Sequence, residues 1–389
     1  MEFRWHEDED NFRQEVRGFI EAELPADWDQ QPPDEGYSEA RHAVALRFQQ
    51  AMAGRQWLTM AWPEEYGGLG ASYWQQMVLN EEMGYRRAPS SNMGVSWVGP
   101  AVMLYGTDEQ KQKHLGAIAN AEHDSWWCTL YSEPGAGSDL ASLQTRAVED
   151  GDDYVINGQK IWTSGAHRAD WGWLAARTDP DAPKHRGMTM FLLDMHAPGV
   201  QVQPLINMAD GHGFNEVFFE DVRIPKDNVV GEVNRGWYHL AVSLDFERSS
   251  IAGFAGSRRS VEELAAFAGE VPRQQRSRSV SLELADRFIE IAVGTNLAYR
   301  IVDMQTRDVI ANHEASAAKL YSSELSQRIA STGMKLLGSY GGLRDDERAP
   351  LGGRLSHSYL SNVAATIGGG TSEIQRNIIA TRGLGLPRQ

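Results

Sequence analysis

Between about residues 125 and 235 the apolar residues of this chain change from helical spacing to strand spacing, and afterwards they change back. Before the break, Phe12, Val16, Phe19 and Ile20 recur at helical intervals, and Pro25 ends that helix. Gly67, Gly68 and Gly70 make a turn of WPEEYGGLG by permitting positive φ. Within the break, SWWCTLYSE, DYVINGQKIW, WGWLAART, GMTMFLLD, VQVQPLI and NEVFFEDVRIP are short β-rich runs. Turn sequences such as EDGDD and DPDAPKHRG separate them. No helices alternate with these strands, so an antiparallel barrel or sandwich is expected rather than a parallel nucleotide-binding sheet. Beyond the break, amphipathic stretches cover 236–268, 279–306 and 312–338, followed by a glycine loop and a last helix. The expected fold is α+β: an α-helical N-terminal domain over 1–124, a central antiparallel β-domain over 125–235, and a C-terminal helical bundle over 236–389.

Charge narrows the partners. Lys plus Arg is 37 and Asp plus Glu is 53, a net −16. Such a surface repels phosphate backbones, so nucleic acid is a poor partner, although a small anionic ligand needs only local donors. The single cysteine, Cys128, cannot form an internal disulfide and lies in the apolar run SWWCTLY, which suits a core residue in a reducing compartment. MEFRWHEDED carries no apolar signal region and no run reaches membrane-spanning length, so no membrane is implied and a cytoplasmic location is expected. The 11 histidines show no ligand spacing, and no metal is inferred.

Four segments bear on chemistry. In YSEPGAGSDL, Gly135 and Gly137 let backbone N–H groups approach a ligand, and a tight β-turn is an equally good account. In GQKIWTSGA, Trp162 could cover a flat ring while Thr163 and Ser164 bond its edge; for any one of 12 tryptophans a core role is the better reading. Leu240, Leu244, Ile251 and Phe254 make one helical stripe, and Glu247 falls on it. A carboxylate there would be desolvated and made more basic, or else paired with an Arg of another helix. In IGGGTSEIQRNI, Ser372 and Gln375 have capping-box spacing, and three glycines leave open the volume before the helix; an ordinary flexible loop is the bland alternative.

WPEEYGGLG, YSEPGAGSD, NGQKIWTSGA, FFEDVRIP, LDFER and GGTSEIQRNIIATRGLGLP occur in one order over nearly the whole chain. Together they resemble the acyl-CoA dehydrogenase family. The resemblance implies a C-terminal four-helix bundle, FAD as cofactor, oxidation of an acyl-CoA thioester to the trans-2-enoyl-CoA, electron-transfer flavoprotein as acceptor, and a homotetramer or heterotetramer. It places Thr129, Tyr131, Ser132, Ser138, Trp162, Ser164, Thr371 and Glu373 against FAD. Ser138, Asp245 and Arg248 lie towards the CoA portion, and Gly369 or Gly370 supplies an N–H to the thioester carbonyl.

The chain departs from the family pattern in three places. Many members carry a catalytic Glu where this chain has Gly369, which takes no proton. Isovaleryl- and long-chain acyl-CoA dehydrogenases place it instead on a helix in an LDxER-like context, which LDFER matches at Glu247. The resemblance therefore makes Glu247 the base, and base placement there hints at branched, long or steroid-like acyl chains. The Arg-x-x-Phe-Gly segment that grips FAD is replaced by EVPRQQRSRS, where Arg273 or Arg276 would substitute. The Gln-x-x-Gly-Gly element becomes KLLGSYGG, with Lys335, Gly338 and Ser339, as in heteromeric relatives whose second subunit completes the site, or as in a rewired homo-oligomer with the same chemistry. The competing expectations are a non-catalytic partner subunit, against which Glu247 speaks, and an acyl-CoA oxidase, against which the chain length speaks.

Overall fold

The computed structural model describes residues 7–28, 38–89, 93–243 (backbone only for 241–243), 249–272, 277–344 and 346–387. The helices before the sheet are α1 (Glu7–Glu23), α2 (Glu39–Gly54), α3 (Tyr73–Tyr85), α4 (Gly99–Tyr105) and α5 (Asp108–Ala119). The strands are β1 (Trp127–Leu130), β2 (Arg146–Asp150), β3 (Asp153–Ser164), β4 (Trp171–Arg177), β5 (Met188–Asp194), β6 (Val200–Leu205), β7 (Phe214–Pro225) and β8 (Val229–Val230). Helices α6 (Gly236–Ser243), α7 (Ile251–Glu270), α8 (Arg278–Gln305), α9 (Asn312–Leu337), α10 (Arg354–Ala365) and α11 (Ser372–Ile378) follow. This is the α+β order read from the sequence: helices, a mostly antiparallel sheet, helices.

Local chemistry sets the helix starts. Ser72 with Gln75 and Thr107 with Gln110 form reciprocal capping boxes at α3 and α5. Gly67 and Gly70 of the WPEEYGGLG turn have φ of +87° and +53°. Gly68 does not. It is needed for space, since a Cβ there would fall 2.0 Å from the Trp62 carbonyl oxygen.

The expected single helix over 236–268 is two, and Ser250, at φ +57°, stands in the left-handed region just before α7. Helical phase is not carried through it. Of the stripe expected from the spacing, Leu240, Ile251 and Phe254 are buried, while Leu244 and Glu247 lie outside the described residues.

The chain forms two compact units. One gathers α1, α3 and α7 to α11; the other holds α2, α4 to α6 and the sheet. In the first, Met77 of α3 joins Phe254, Leu264, Ile301, Ala318, Leu325 and Leu355 in the core of the C-terminal bundle. In the second, the strand order is β6-β7-β3-β2-β4-β5-β8, with β1 paired in parallel to β4. Cys128, Leu130, Ile156, Leu174, Phe191 and Val217 fill that core. Burial pushes the Cys128 thiol up to about 12, as befits a packing residue. Among the described residues no helix is long and apolar enough to cross a membrane, and no cluster of His, Cys, Asp and Glu could hold a metal ion.

His114 of α5 is buried edge-on to Trp127 and Trp171, at centroid distances of 5.3 and 4.7 Å. Burial, helped by Lys113, pushes its pKa down to about 4. A group depressed on folding stabilises fully above its unfolded pKa, near 6.5, and that contribution disappears as pH falls through about 4. From pH 7 to pH 4 the wild type should therefore lose ~3 kcal/mol more stability than His114→Phe, at ~1.4 kcal/mol per pKa unit. Urea midpoints at both pH values measure it, and equal losses would refute the assignment.

Candidate functional site

Alternation along β1 sends Cys128 and Leu130 into the sheet core and leaves Thr129 half-buried on the opposite face. Tyr131 and Ser132, just past the strand, are tied to β3: Ile161 N–H donates to Ser132 O at 2.9 Å and Lys160 Nζ to Tyr131 O at 3.0 Å. The Tyr131 ring lies 6.0 Å from that of Trp97, and burial drives its phenol pKa far up. Glu133 and Ala136 exchange two 3.0 Å backbone hydrogen bonds, so YSEPGAGSDL is a tight turn, with Ser138 exposed beyond it.

Beneath this turn lies a group that sequence reasoning missed. Lys160 is fully buried and donates to Glu133 Oε1 at 2.8 Å. That carboxylate also accepts from Gln144 N–H at 2.6 Å and Thr145 N–H at 2.8 Å. Burial works against the Glu133 charge, but Lys160 and these donors outweigh it and hold its pKa below the ordinary range. Burial also pulls Lys160 down to about 8, with Glu133 opposing.

The register of β3 against β7 slips between Lys160 and Thr163, and Trp162 sits in the slip. Its φ is +61°, and it is 56% exposed, with its ring edge-on to Phe214. A left-handed tryptophan costs roughly 1–2 kcal/mol, a strain imposed by the slip in pairing with β7. Thr163 beside it points inward and Ser164 outward. A buried Asn215, also missed in the sequence, donates to Thr163 O at 3.1 Å and bonds His167 and His212. Its one signal is a polar residue within the β-rich run NEVFFEDVRIP.

The second group of candidates belongs to the helical unit. Gly369 and Gly370 are consecutive left-handed residues, at φ +65° and +88°. The expected Ser372–Gln375 capping box does not form. Thr371 is the N-cap of α11, accepting from Ile374 N–H, and Gln375 turns back to donate to Gly369 O at 3.1 Å. The reason is register: α11 begins at Ser372, so the cap falls one residue earlier. Glu373 is exposed, and its own N–H and the Thr371 hydroxyl lower its pKa. A cavity of about 560 Å³ is lined by Gln327, Arg328, Thr371, Ser372, Glu373 and Arg376. Lys335 is tied to Glu283 at 2.9 Å, and Gly338, at φ +57°, ends α9. Asp245, Glu247 and Arg248, like Arg273 and Arg276, lie outside the described residues.

The buried hydroxyls Thr163 Oγ1, in the sheet unit, and Ser372 Oγ, in the helical unit, have no hydrogen-bond partner among the described residues. Each sits beside residues expected to meet FAD. Orphaned buried hydroxyls are costly, and polar ligand groups with donors and acceptors at each position would satisfy them. The residues present fit such a group.

Profiles of the acyl-CoA dehydrogenase N-terminal, middle and C-terminal domains match residues 6–122, 128–222 and 234–384. Acyl-CoA dehydrogenase FadE26 of Mycobacterium tuberculosis is 39% identical over 351 residues, 87% of this chain and 87% of its own. The solved Tcur3481-Tcur3483 steroid ACAD superposes with a TM-score of 0.90 at 34% identity, over 100% of both chains. The ChsE4-ChsE5 complex from Mycobacterium tuberculosis gives 0.88 at 34% identity, again over 100% of both chains.

Proposed function

This chain belongs to the acyl-CoA dehydrogenase family, and from that premise we propose that it dehydrogenates an acyl-CoA thioester to the trans-2-enoyl-CoA with FAD as cofactor and Glu247 as base. The observation that carries the reading furthest is Trp162: an exposed indole, held left-handed in a strand irregularity and braced by buried groups, is a preformed platform for a flat ring. FAD, when bound, supplies the centre that accepts the β-hydride.

The chain's own residues do the rest. Thr129, Tyr131, Ser132, Ser138, Trp162, Ser164, Thr371 and Glu373 hold the cofactor, with Thr163 and Ser372 offering their orphaned hydroxyls. Ser138, Asp245 and Arg248 meet the CoA portion. The Glu247 carboxylate takes the α-proton, and as that C–H bond breaks, charge moves to the thioester oxygen. The N–H of Gly369 or Gly370 donates to it there. Gly369 leaves the acid out of the loop, so the reaction needs one elsewhere.

The likeness to a steroid ACAD supports a bulky acyl group, steroid-like rather than short and linear. The ChsE4-ChsE5 likeness and the altered KLLGSYGG support a heterotetramer in which a second type of subunit completes the cofactor site, and the family resemblance implies electron-transfer flavoprotein as the electron acceptor. An anaerobic titration with short linear, branched, long and steroid-side-chain acyl-CoAs tests the reading through loss of flavin absorbance. Bleaching by the bulky thioesters with slow reoxidation in air is expected. No bleaching by any would refute the activity, and rapid reoxidation would make the protein an oxidase.

A further inference from the structure

The carbonyls of the glycine turn are gathered inward. Lys319 of α9 donates its Nζ to Gly370 O at 2.7 Å and Ala365 O at 3.2 Å. Gln375 holds Gly369 O at 3.1 Å, and Ser372 N–H donates to Thr366 O at 3.0 Å. In a planar trans peptide the N–H of the next residue points opposite the carbonyl, so holding Gly369 O turns the Gly370 N–H outward and holding Gly370 O turns the Thr371 N–H outward, and neither N–H has an acceptor among the described residues. Successive amides freed in this way form a concave donor array suited to negative charge.

Lys319 is an unusual residue for a mere brace. It is partly buried, and no carboxylate pairs with it among the described residues. Burial alone lowers its pKa. A methionine or leucine would pack there at less cost, and a glutamine could hold a carbonyl without a charge. Its stem passes 3.9 Å from where a side chain on Gly369 would begin, so the cation lies next to the donor array.

We propose that Lys319 is a positioning residue for the thioester: by holding the Gly370 carbonyl inward, beside Gln375 on the Gly369 carbonyl, it keeps the turn oriented so that the Gly370 and Thr371 N–H groups face the substrate oxygen, and its charge reinforces them as negative charge develops there. This rests on the reading of the site given above. Lys319 does not touch substrate; it acts through the loop.

The test uses FAD-loaded, fully assembled enzyme carrying Lys319→Met, Lys319→Gln or Lys319→Arg. The Met variant should retain FAD and cooperative unfolding, lose ~10²-fold in kcat, as when an oxyanion donor is removed, and change KM by less than about threefold, since the loss falls on the transition state. Amide hydrogen exchange at Ser372, whose N–H donates to Thr366 O, should accelerate in the Met variant. Arg should recover most of kcat, and Gln should lie between, because it restores a donor but no charge. Wild-type kcat in the Met variant would overturn the proposal. So would a parallel loss of FAD and folding in all three variants, which would mark Lys319 as structural. Turnover surviving in Glu247→Gln would sink the base assignment instead, and leaves the Lys319 result readable on its own.

Discussion

Glu247→Gln should keep its FAD and its fold, yet acyl-CoA should no longer bleach the flavin under anaerobic conditions. A base that removes a weakly acidic α-proton contributes about 10²–10⁴-fold, and an amide cannot accept that proton, so a loss near ~10³ in kcat is expected. KM should change little, because the side chain acts after binding. A second substitution sharpens the result. If the acid was relocated from the loop to LDFER, Gly369→Glu placed on Glu247→Gln should return part of the activity. Recovery should be incomplete for two reasons visible in the loop. Position 369 has φ +65°, which strains any residue with a Cβ. Lys319 lies 3.9 Å from that Cβ, and its ammonium would lower the basicity of the new carboxylate. Bleaching of Glu247→Gln at the wild-type rate would remove this residue from the mechanism.

What could be read from the chain depended on whether the signal was local. Helix and strand periods are local, so the α+β order was legible, as were β1 and β3 to β7. β2, with the sequence RAVED, carries too much charge to read as a strand, and it exists because it pairs with β3 through the Gly151 turn. β8 is two residues long and is defined only by Met190 and Phe191 across from it. The interruption at Ser250 has no glycine or proline to announce it, and so the apolar stripe read straight through. Trp162 illustrates the harder case. Its residue type suggested a flat-ring contact, but what distinguishes it from the other tryptophans is a slip in pairing with β7, more than fifty residues further along. The grouping of α1 and α3 with the C-terminal helices is likewise non-local; it shows as Arg13 and Arg17 gripping Glu82 while Met77 enters the bundle core. Recognisable motifs supplied the candidate contacts, whereas the residues bracing them, Lys160, Asn215 and Lys319, lie in ordinary strand and helix sequence.

The brace under Tyr131 gives the second large expected effect. Glu133→Gln should cost about 3–5 kcal/mol, since it strands the fully buried Lys160 ammonium. Glutamine also turns an NH₂ group towards at least one of the three donors that now meet the carboxylate. Lys160→Met should cost less, because the remaining Glu133 keeps two backbone N–H donors, and the double variant should cost less than the sum of the singles. The pH dependence separates a stranded charge from simple loss of packing. In wild type, burial has already lowered Lys160 to about 8, and without Glu133 to support the charge its pKa falls further. Below that point the lysine of the variant is protonated and unpaired, and the deficit is largest. As pH rises towards 9, Lys160 is neutral in both proteins and the deficit shrinks. Denaturant midpoints of wild type, both singles and the double at pH 6 and pH 9 measure this directly. Additive losses that do not change between the two pH values would show that the pair is not the brace. If the pair does hold Tyr131 and Ser132 against β3, the same Glu133→Gln variant should also bind FAD less tightly, because these two proposed cofactor contacts hang from the carbonyls that Lys160 and Ile161 secure.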